Sequence, residues 1–358
     1  MIDSLLKWIR PEIRDLTAYH VADADGLVKL DAMENPYVLP KELMAELNQR
    51  VSVASLNRYP DPSANELTKT LSKAMGVPAG KAITLGNGSD ELIQMLAMAV
   101  SEKERCILSF DPGFVMYRMI AEFVGMRYVG VPLTRDYEID MAATRAAIIE
   151  NKPAIIFIAY PNNPTANCFS KNDIEEIIKI APGLVILDEA YHPFAQDTFM
   201  SMLENYDQLL VMRTVSKMGL AGLRLGLLCG HPEIIAEIDK IRLPYNINVL
   251  TQVTARFVLE HIDVLDEQAM LIRKQRESML NRMQSIDGIR AFPSKANFIL
   301  FRVDKKSAGD VFDSIKAQGV LIKNMKATEG LLSQCLRVTV GTADENGSFI
   351  SALNKALT

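Results

Sequence analysis

Short apolar runs that alternate with helical patterns constrain the fold of this chain more strongly than any other feature of its sequence. The runs occupy residues 83–85, 105–110, 154–160, 184–187 and 209–212. Stretches with the apolar spacing of amphipathic helices, such as the one that begins at Leu92, lie between them. Strands that alternate with helices are typical of a parallel sheet in an α/β domain. We therefore predict an α/β fold with a mostly parallel sheet.

Glycine or polar residues follow several of these runs. A glycine turn follows residue 85, Asn163 follows the run 154–160, and Asp188 and Lys217 follow the last two runs. In open α/β sheets, ligands bind at the carboxyl ends of the strands. The sequence therefore predicts that these residues share one ligand site.

The glycine turn, residues 86–91, opens a helix. Free amides and the dipole at a helix N-terminus bind phosphate, and glycine lets the anion approach the backbone. Ser89 can cap the helix and contact the anion, although a cap without any ligand is the alternative. The turn lacks the third glycine of a dinucleotide fingerprint, which disfavours a nicotinamide cofactor.

Lys217 stands at the end of a buried strand, where a long cation seldom serves packing alone. Ser216 precedes it, and Gly219 and Gly222 leave space for a ligand. Desolvation beside a second cation, Arg224, favours the uncharged amine that reacts with aldehydes. Lys217 is therefore a candidate nucleophile, and an ordinary loop lysine is the alternative.

Asp188 is a carboxylate at the end of an apolar run, and a buried carboxylate needs a partner because burying an unpaired charge is costly. A protonated ring nitrogen of a ligand would supply that partner. Tyr191 lies three residues later and can reach the same ligand. The adjacent His192 shows no partner pattern, which favours a structural role over that of a general base.

Residues 216–226 read Ser-Lys-x-x-x-Ala-Gly-Leu-Arg-x-Gly, which resembles the cofactor-lysine segment of fold-type-I aminotransferases that depend on pyridoxal 5'-phosphate (PLP). Further similar pieces occur in order from Tyr19 to Arg337, so the resemblance covers nearly the whole chain. Among these class II enzymes, the chain is most similar to the histidinol-phosphate aminotransferase family. The resemblance implies the fold-type-I architecture, with a large, mostly parallel-sheet cofactor domain, a smaller α+β domain and an N-terminal arm.

The resemblance also implies roles for individual residues. Lys217 would hold the cofactor and move protons, Asp188 would keep the cofactor's ring nitrogen protonated, and Tyr191 would complete the catalytic set. Asn163 corresponds to the residue that hydrogen-bonds the cofactor's 3-hydroxyl. The implied cofactor-binding residues are Gly88, Ser89, Asp90, Phe114, Asn163, Asp188, Tyr191, Ser216, Lys217, Arg224 and Tyr59. In the family the last of these, in the turn-rich segment 57–62, reaches a neighbour's cofactor, which implies a homodimer with shared active sites.

Four residues correspond to the family's substrate-binding positions: Tyr19, Asn35, Arg337 and Lys323. An arginine within an otherwise apolar strand is expected to face an anion, because its guanidinium forks onto carboxylate or phosphate. A structural salt bridge of Arg337 is the alternative. Lys323 stands where many members have a second arginine.

The chain departs from the family's pattern at other positions. Phe114 replaces a common tyrosine and keeps a stacking face, while Ala166 replaces a common glycine. The spacing from Lys217 to Arg224 is one residue shorter than usual, so this loop must turn differently.

Composition and periodicity bound the remaining possibilities. The 358 residues carry a net charge of −5, which gives no attraction to nucleic acid or anionic membranes, and four isolated cysteines suggest no metal site. No apolar run approaches the roughly 20 residues of a membrane span, so we expect a cytoplasmic protein. Past His231 we predict long helices over residues 232–243 and 250–285. The expected division is an arm at 1–45, a cofactor domain at 46–245 and a small domain at 246–358.

The activity that the resemblance implies interconverts L-histidinol phosphate and 2-oxoglutarate with imidazole-acetol phosphate and L-glutamate, a step of histidine biosynthesis. A PLP-dependent threonine-phosphate decarboxylase and an aromatic amino-acid aminotransferase share the fold and are the alternatives. A non-catalytic module with the same fold is disfavoured because Lys217, Asp188, Asn163 and Arg224 are all present.

Overall fold

The predicted strands are present, together with elements that the sequence did not indicate, whereas the long helices predicted past His231 differ in their extent. A computed structural model describes residues 2–18, 22–327 and 329–358. Its strands are β1 (Val28–Lys29), β2 (Ala82–Gly86), β3 (Cys106–Asp111), β4 (Arg127–Pro132), β5 (Ile155–Ala159), β6 (Leu184–Asp188), β7 (Leu209–Thr214), β8 (Gly226–Gly230), β9 (Ile289–Ala291), β10 (Phe298–Val303), β11 (Val320–Leu321), β12 (Lys323–Asn324) and β13 (Cys335–Thr339).

The helices surround these strands. They are α1 (Ile2–Leu6), α2 (Pro11–Arg14), α3 (Lys41–Ser52), α4 (Asn65–Ala74), α5 (Ser89–Val100), α6 (Val115–Phe123), α7 (Met141–Asn151), α8 (Lys171–Ile180), α9 (His192–Ala195), α10 (Pro232–Asp239), α11 (Val249–Glu260), α12 (Ile262–Gln284), α13 (Ala308–Ala317) and α14 (Ala343–Leu357). Short 3₁₀ helices occupy Met200–Glu204, Ser216–Met218 and Ala221–Leu223.

In the part of the chain that the structure describes, seven strands pair in the order β2-β8-β7-β6-β5-β3-β4. From β7 to β4 the strands run parallel, whereas β8 is antiparallel to both β7 and β2. The prediction of a mostly parallel α/β sheet is confirmed. We did not predict β4 or β8, since β4 contains a glycine and a terminal arginine and the apolar part of β8 is short.

Both faces of this main sheet are buried, which explains why its strands are continuously apolar. In β6, Val185 and Leu187 pack against α7 and α8, while Ile186 points to the other face, towards α5, α6 and α10. Successive side chains of a strand point to opposite faces, so a sheet covered by helices on both sides needs apolar residues at every position. Each fully buried side chain of this kind stabilises the fold by about 1.5–3 kcal/mol. This packing fixes where the strand ends lie.

A smaller sheet, in the order β12-β13-β10-β9, is antiparallel and packs against α12, α13 and α14. Beside it, β1 pairs in parallel with β11, and the backbone of Leu30 bonds to both Leu321 and Thr339. The segment that follows β1 therefore runs from the small sheet towards the main sheet.

The predicted helix at 250–285 is instead two helices, α11 and α12, so this prediction is wrong. His261 separates them with φ −118° and ψ 43°, outside the helical region. Its side chain packs on Phe257, and its Nδ1 lies 2.9 Å from the Phe257 carbonyl oxygen. The helix predicted for residues 232–243 ends early, at Asp239. None of the helices in the described ranges has the length and apolar character that crossing a membrane requires.

Candidate active site

A cavity lies at the carboxyl ends of β5, β6 and β7, and the glycine turn that follows β2 closes one end of it. Most of the predicted cofactor residues line this cavity, although they are scattered over more than a hundred positions: Ser89, Asp90, Phe114, Asn163, Asp188, Tyr191, Ser216, Lys217 and Arg224. Met33, Ala159, Pro161, Ala190 and Thr214 complete the wall. The structure therefore brings the predicted residues together at one place.

The glycine turn forms one end of the cavity, and its close packing requires glycine. Gly88 precedes α5 with φ 79°, and a Cβ atom there would approach an Arg224 nitrogen to 2.6 Å. On the neighbouring strand, a Cβ on Gly226 would come within 2.8 Å of the Gly88 backbone. The N-terminal amides of α5 and the Arg224 guanidinium thus face one space, which suits a phosphate group.

Arg224 shows how the shortened loop reaches this space. Its backbone is left-handed, with φ 49°, directly after the 3₁₀ helix Ala221–Leu223. The side chain lies 3.6 Å from the Asp90 carboxylate and remains largely exposed. Burial raises the pKa of Asp90, and Arg224 opposes that shift. The chain therefore reaches this space through a left-handed residue at the end of the loop.

Ala166 also has a left-handed backbone, with φ 65°, at the position where relatives commonly have glycine. The residue is fully buried, and its carbonyl oxygen accepts a hydrogen bond from the Lys295 amide at 2.7 Å. Alanine adopts this conformation less readily than glycine. The turn keeps the geometry expected of glycine without containing one.

Lys217 projects into the cavity from the 3₁₀ helix Ser216–Met218. Its Nζ donates to the Ala32 carbonyl oxygen at 3.1 Å. Desolvation lowers the pKa of Lys217 to about 8, and the positive charges of Arg337 and Arg224 contribute. The amine is therefore closer to its uncharged, nucleophilic form than an exposed lysine would be.

Asp188 lies buried at the end of β6, and both carboxylate oxygens are held. The Tyr117 hydroxyl donates to Oδ2 at 2.7 Å and the Ala190 amide donates to Oδ1 at 3.1 Å. Burial raises the pKa of Asp188 to about 6, whereas these two hydrogen bonds lower it. A positively charged group in the cavity would stabilise the ionised form further.

Tyr117 is a site residue that the sequence analysis missed. It is buried on α6, its ring stacks on Phe157 with centroids 4.6 Å apart, and Phe114 contacts it edge-on. The one available signal was its position three residues after Phe114, the N-cap residue of α6, which places both near the first turn of that helix.

Asn163, Tyr191 and Arg337 form a chain of contacts across the cavity wall. The Asn163 amide nitrogen donates to the Tyr191 hydroxyl at 3.2 Å, and Arg337 donates to the Asn163 oxygen at 2.5 Å. Arg337 also donates to the Asp31 carbonyl oxygen at 3.2 Å and lies over the Phe298 ring. The guanidinium is buried, with 7% of the residue exposed.

Lys323 is the direct neighbour of Arg337, because the two pair in register across β12 and β13. Burial lowers the pKa of Lys323, and the positive charge of Arg337 lowers it further. Two adjacent cations repel each other, so an anion bound between them is stabilised.

Asn35, which the resemblance associates with the substrate, bonds to the lysine loop and to α12. Its side-chain nitrogen donates to the Met218 carbonyl oxygen at 3.0 Å and to Gln268 at 2.9 Å, while its oxygen accepts from the Tyr37 amide. These bonds use both amide hydrogens. The structure therefore places Asn35 behind the lysine loop, as a link to α12.

The last predicted residues lie at the surface or beyond the described ranges. Tyr59 is 81% exposed and stacks on Tyr245, with ring centroids 4.4 Å apart. Tyr19 lies outside the described residues.

His192 is partly buried, and burial lowers its pKa to about 3, so it is uncharged at neutral pH. Its ring bonds to the Glu189 carbonyl oxygen. The described side chains contain no cluster of His, Cys, Asp or Glu arranged to hold a metal.

The cavity fits PLP at three separate points. The glycine turn leaves space beside helix amides for a phosphate, Lys217 offers an amine of lowered pKa for an aldehyde, and Asp188 offers a buried carboxylate for a ring nitrogen. Phe114 lies beside this space with a planar face. Together, the fold and the cavity define a PLP-dependent enzyme of fold type I.

Comparison with known proteins agrees with this class. The model of the aminotransferase class I and II family matches residues 25–353, so the chain belongs to that family. The chain is 54% identical over 351 residues to histidinol-phosphate aminotransferase 2 of Nitrosococcus oceani, with 98% of each chain covered.

Solved structures give the same result. The histidinol-phosphate aminotransferase of Clostridium acetobutylicum is 26% identical, with a TM-score of 0.84 over 92% of this chain and 98% of that one. The Sinorhizobium meliloti enzyme of the same name, solved in complex with PLP, shares the fold at 22% identity. Its TM-score is 0.85, over 98% of this chain and 97% of that one.

Proposed function

We propose that this protein is a PLP-dependent transaminase that interconverts L-histidinol phosphate and 2-oxoglutarate with imidazole-acetol phosphate and L-glutamate. The observation that carries this proposal is the pair of neighbouring cations, Arg337 and Lys323, of which Arg337 donates to Asn163 in the cavity wall. The pair suits substrates that carry a phosphate or a carboxylate. The name and high identity of the Nitrosococcus oceani relative support the choice of substrate.

The cavity residues would hold the cofactor from several sides. Gly88, Ser89 and Arg224 would bind its phosphate, together with the Asp90 backbone amide and Ser216 nearby, and Phe114 would stack on its ring. Asn163 and Tyr191 are already hydrogen-bonded to each other and would face its 3-hydroxyl. When bound, PLP supplies a sink for the electron pair that remains when the substrate's α-carbon loses a proton.

Proton movement is assigned to Lys217. Its amine, with a pKa near 8, exists partly uncharged at neutral pH and can accept the proton from the substrate's α-carbon. The bond from its Nζ to the Ala32 carbonyl holds it in the cavity before substrate arrives. Asp188, fixed by Tyr117, would keep a positive charge on the facing ring nitrogen.

One anion site would serve both half-reactions. Glutamate presents an α-carboxylate, whereas histidinol phosphate presents a phosphate ester and no α-carboxylate. Arg337 would contact both anions, and Lys323 would add its charge mainly when phosphate is bound. Tyr19 is proposed beside them from sequence resemblance alone.

We also propose that the protein works as a cytoplasmic homodimer divided into the arm and two domains that the sequence predicts. Tyr59 supports the dimer, because an exposed aromatic pair with Tyr245 is typical of an interface. In the dimer, Tyr59 would reach the neighbour's cofactor phosphate. The free cysteines, two of them buried in the main sheet, suit a reducing compartment.

The deciding experiment supplies the purified protein with histidinol phosphate and 2-oxoglutarate and measures glutamate. We expect glutamate to form in proportion to the phosphorylated substrate consumed. Parallel reactions with threonine phosphate and with aromatic amino acids test the alternatives. Carbon dioxide release that does not require 2-oxoglutarate would replace the proposal with a decarboxylase, and preference for aromatic amino acids would replace the substrate.

A further inference from the structure

The turn between α10 and α11 lies outside the cavity, yet it contacts the glycine turn after β2, here called the phosphate loop, at several points. The Asn246 side-chain nitrogen donates to the Leu85 carbonyl oxygen and to the Glu91 carboxylate, each at 3.0 Å. The Asn246 carbonyl oxygen accepts from the Asn87 side chain at 2.6 Å. Glu91 in turn accepts from the Asn87 backbone amide at 2.6 Å. Both ends of the short loop are thus fixed to one turn.

The same turn also contacts the segment that contains Tyr59. The Arg242 guanidinium donates to the Pro62 carbonyl oxygen at 3.0 Å and lies 3.3 Å from the Asn246 side-chain oxygen. Tyr245 stacks on Tyr59 while holding a left-handed backbone, with φ 59°. A non-glycine residue adopts that conformation at some cost in energy, and such strain persists only where surrounding contacts enforce it.

We propose that Asn246 is a positioning residue for cofactor binding, the centre of a brace that holds the phosphate loop and the Tyr59 segment in fixed relation. Asn246 touches no cavity atom and acts through Leu85, Asn87 and Glu91. Gly226 packs closely against Gly88 of the same loop, so the loop is held between this strand and the brace. The inference rests on the proposed placement of the cofactor phosphate at this loop.

The test measures how fast PLP leaves the protein, followed by the absorbance and fluorescence of released cofactor, so that turnover is not required. Asn246→Asp removes both donated bonds and places a second carboxylate against Glu91. We expect dissociation to accelerate at least tenfold, the change that loss of a charge-assisted hydrogen bond produces. Asn248→Asp is the matched control, because the hydrogen bonds of its side chain among the described residues are with Thr251 in α11. We expect its dissociation rate to be unchanged.

A swapped pair separates a specific contact from general loosening. In Glu91→Gln combined with Asn246→Asp, the glutamine can donate to the aspartate while still accepting from the Asn87 amide. We expect this double variant to recover part of the retention lost in Asn246→Asp. Should the aspartate prevent folding, Asn246→Ser removes the amide without adding charge and gives the same comparison.

Arg224→Gln distinguishes failure of this inference from failure of the site on which it rests. If Arg224→Gln accelerates PLP release but Asn246→Asp behaves like Asn248→Asp, the brace is wrong and the phosphate site stands. If neither Arg224→Gln nor Asn246→Asp changes release, the phosphate lies elsewhere and both proposals fall. Acceleration in both variants, with partial recovery in the swapped pair, supports the brace.

Discussion

The two ends of the proposed site would bind anions by different means. At the phosphate end, the loop after β2 and the first turn of α5 offer backbone amides from one continuous stretch of chain. At the proposed substrate end, Arg337 extends from the small sheet to Asn163, which follows β5, and Lys323 pairs in register with Arg337. Backbone amides are fixed in place by the fold, whereas long side chains can adjust to anions of different shape. The rigid end suits a cofactor that stays, and the adaptable end suits substrates that exchange.

Lys217 lies between the two ends, and its loss should have the largest effect. We expect Lys217→Ala to abolish turnover, because no other described lysine lines the cavity. Lys81→Ala serves as the control, since that side chain is also largely covered but lies elsewhere. The measurement is glutamate formation together with the absorbance of bound PLP. Near-normal rates in Lys217→Ala would remove it from the chemistry.

Arg337→Ala should affect both substrates and so sharpen the difference between the ends. Charge-assisted contacts are worth about 1.5–3 kcal/mol, so we expect the KM of each substrate to rise ~10- to 100-fold. PLP retention should change far less. Arg302→Ala, on the adjacent strand β10, is the control. A change confined to one substrate would contradict a shared anion site.

Arg337→Ala should also shift the pH profile of the reaction between PLP and the cofactor-free protein. The rate at which PLP reacts with the cofactor-free protein should rise with pH and level off above the Lys217 pKa of about 8, because only the uncharged amine reacts. Arg337 helps to lower that pKa, so its removal raises the pKa and moves the profile to higher pH. A profile that does not move would show that the two cations are not coupled.

Tyr117→Phe should have an intermediate effect, confined to the chemical step. The variant keeps the ring packed on Phe157 and removes the hydrogen bond that lowers the pKa of Asp188. We expect kcat to fall roughly tenfold, with little change in KM. The acid limb of the pH profile of kcat should move to higher pH. Tyr160→Phe is matched, since that buried tyrosine bonds to Asp197. Equal effects in both variants would indicate only a loss of packing or stability.

Lys323→Ala should have the smallest effect and the most selective one. We expect a several-fold weaker binding of histidinol phosphate and little change for glutamate, since a partly exposed point charge contributes less than a buried guanidinium. Lys326→Ala, on the chain just beyond β12, is the control. If glutamate binding weakened as much as that of the phosphorylated substrate, Lys323 would not determine selectivity.

The residues of the site that follow apolar runs could be predicted from the sequence, whereas those placed by tertiary contacts could not. The glycine turn, Asp188 and Lys217 each follow an apolar run, and the rule that strand ends gather ligands was enough to group them. Tyr117 and Asn246 escaped notice because they act through atoms 70 and more positions away in the chain, contacts that no local pattern encodes. Asn35 was associated with the right region, but its bonds to Met218 and Gln268 depend on tertiary packing.

The fold shows the same division between local and distant information. Strands such as β6 and β7 were predicted from the sequence because helices cover both faces of the main sheet, which makes these strands continuously apolar. The break at His261 was missed because the apolar spacing continues through it from α11 into α12. The left-handed backbone of Ala166 could not be inferred from alanine itself, and only the resemblance to relatives with glycine pointed to it.

The pairing of β1 with β11 bears on the order in which a growing chain can fold. Strands β2 to β8 occupy residues 82–230, so the main sheet is complete once that stretch has been made. Val28 and Lys29 are synthesised far earlier, yet their partners Val320 and Leu321 come almost at the end. During translation β1 must therefore wait for its strand partner until β11 has been made, long after the main sheet is complete. The segment after β1, which carries Met33 of the cavity wall and the carbonyl that accepts from Lys217, is fixed at its small-sheet end only at that late stage.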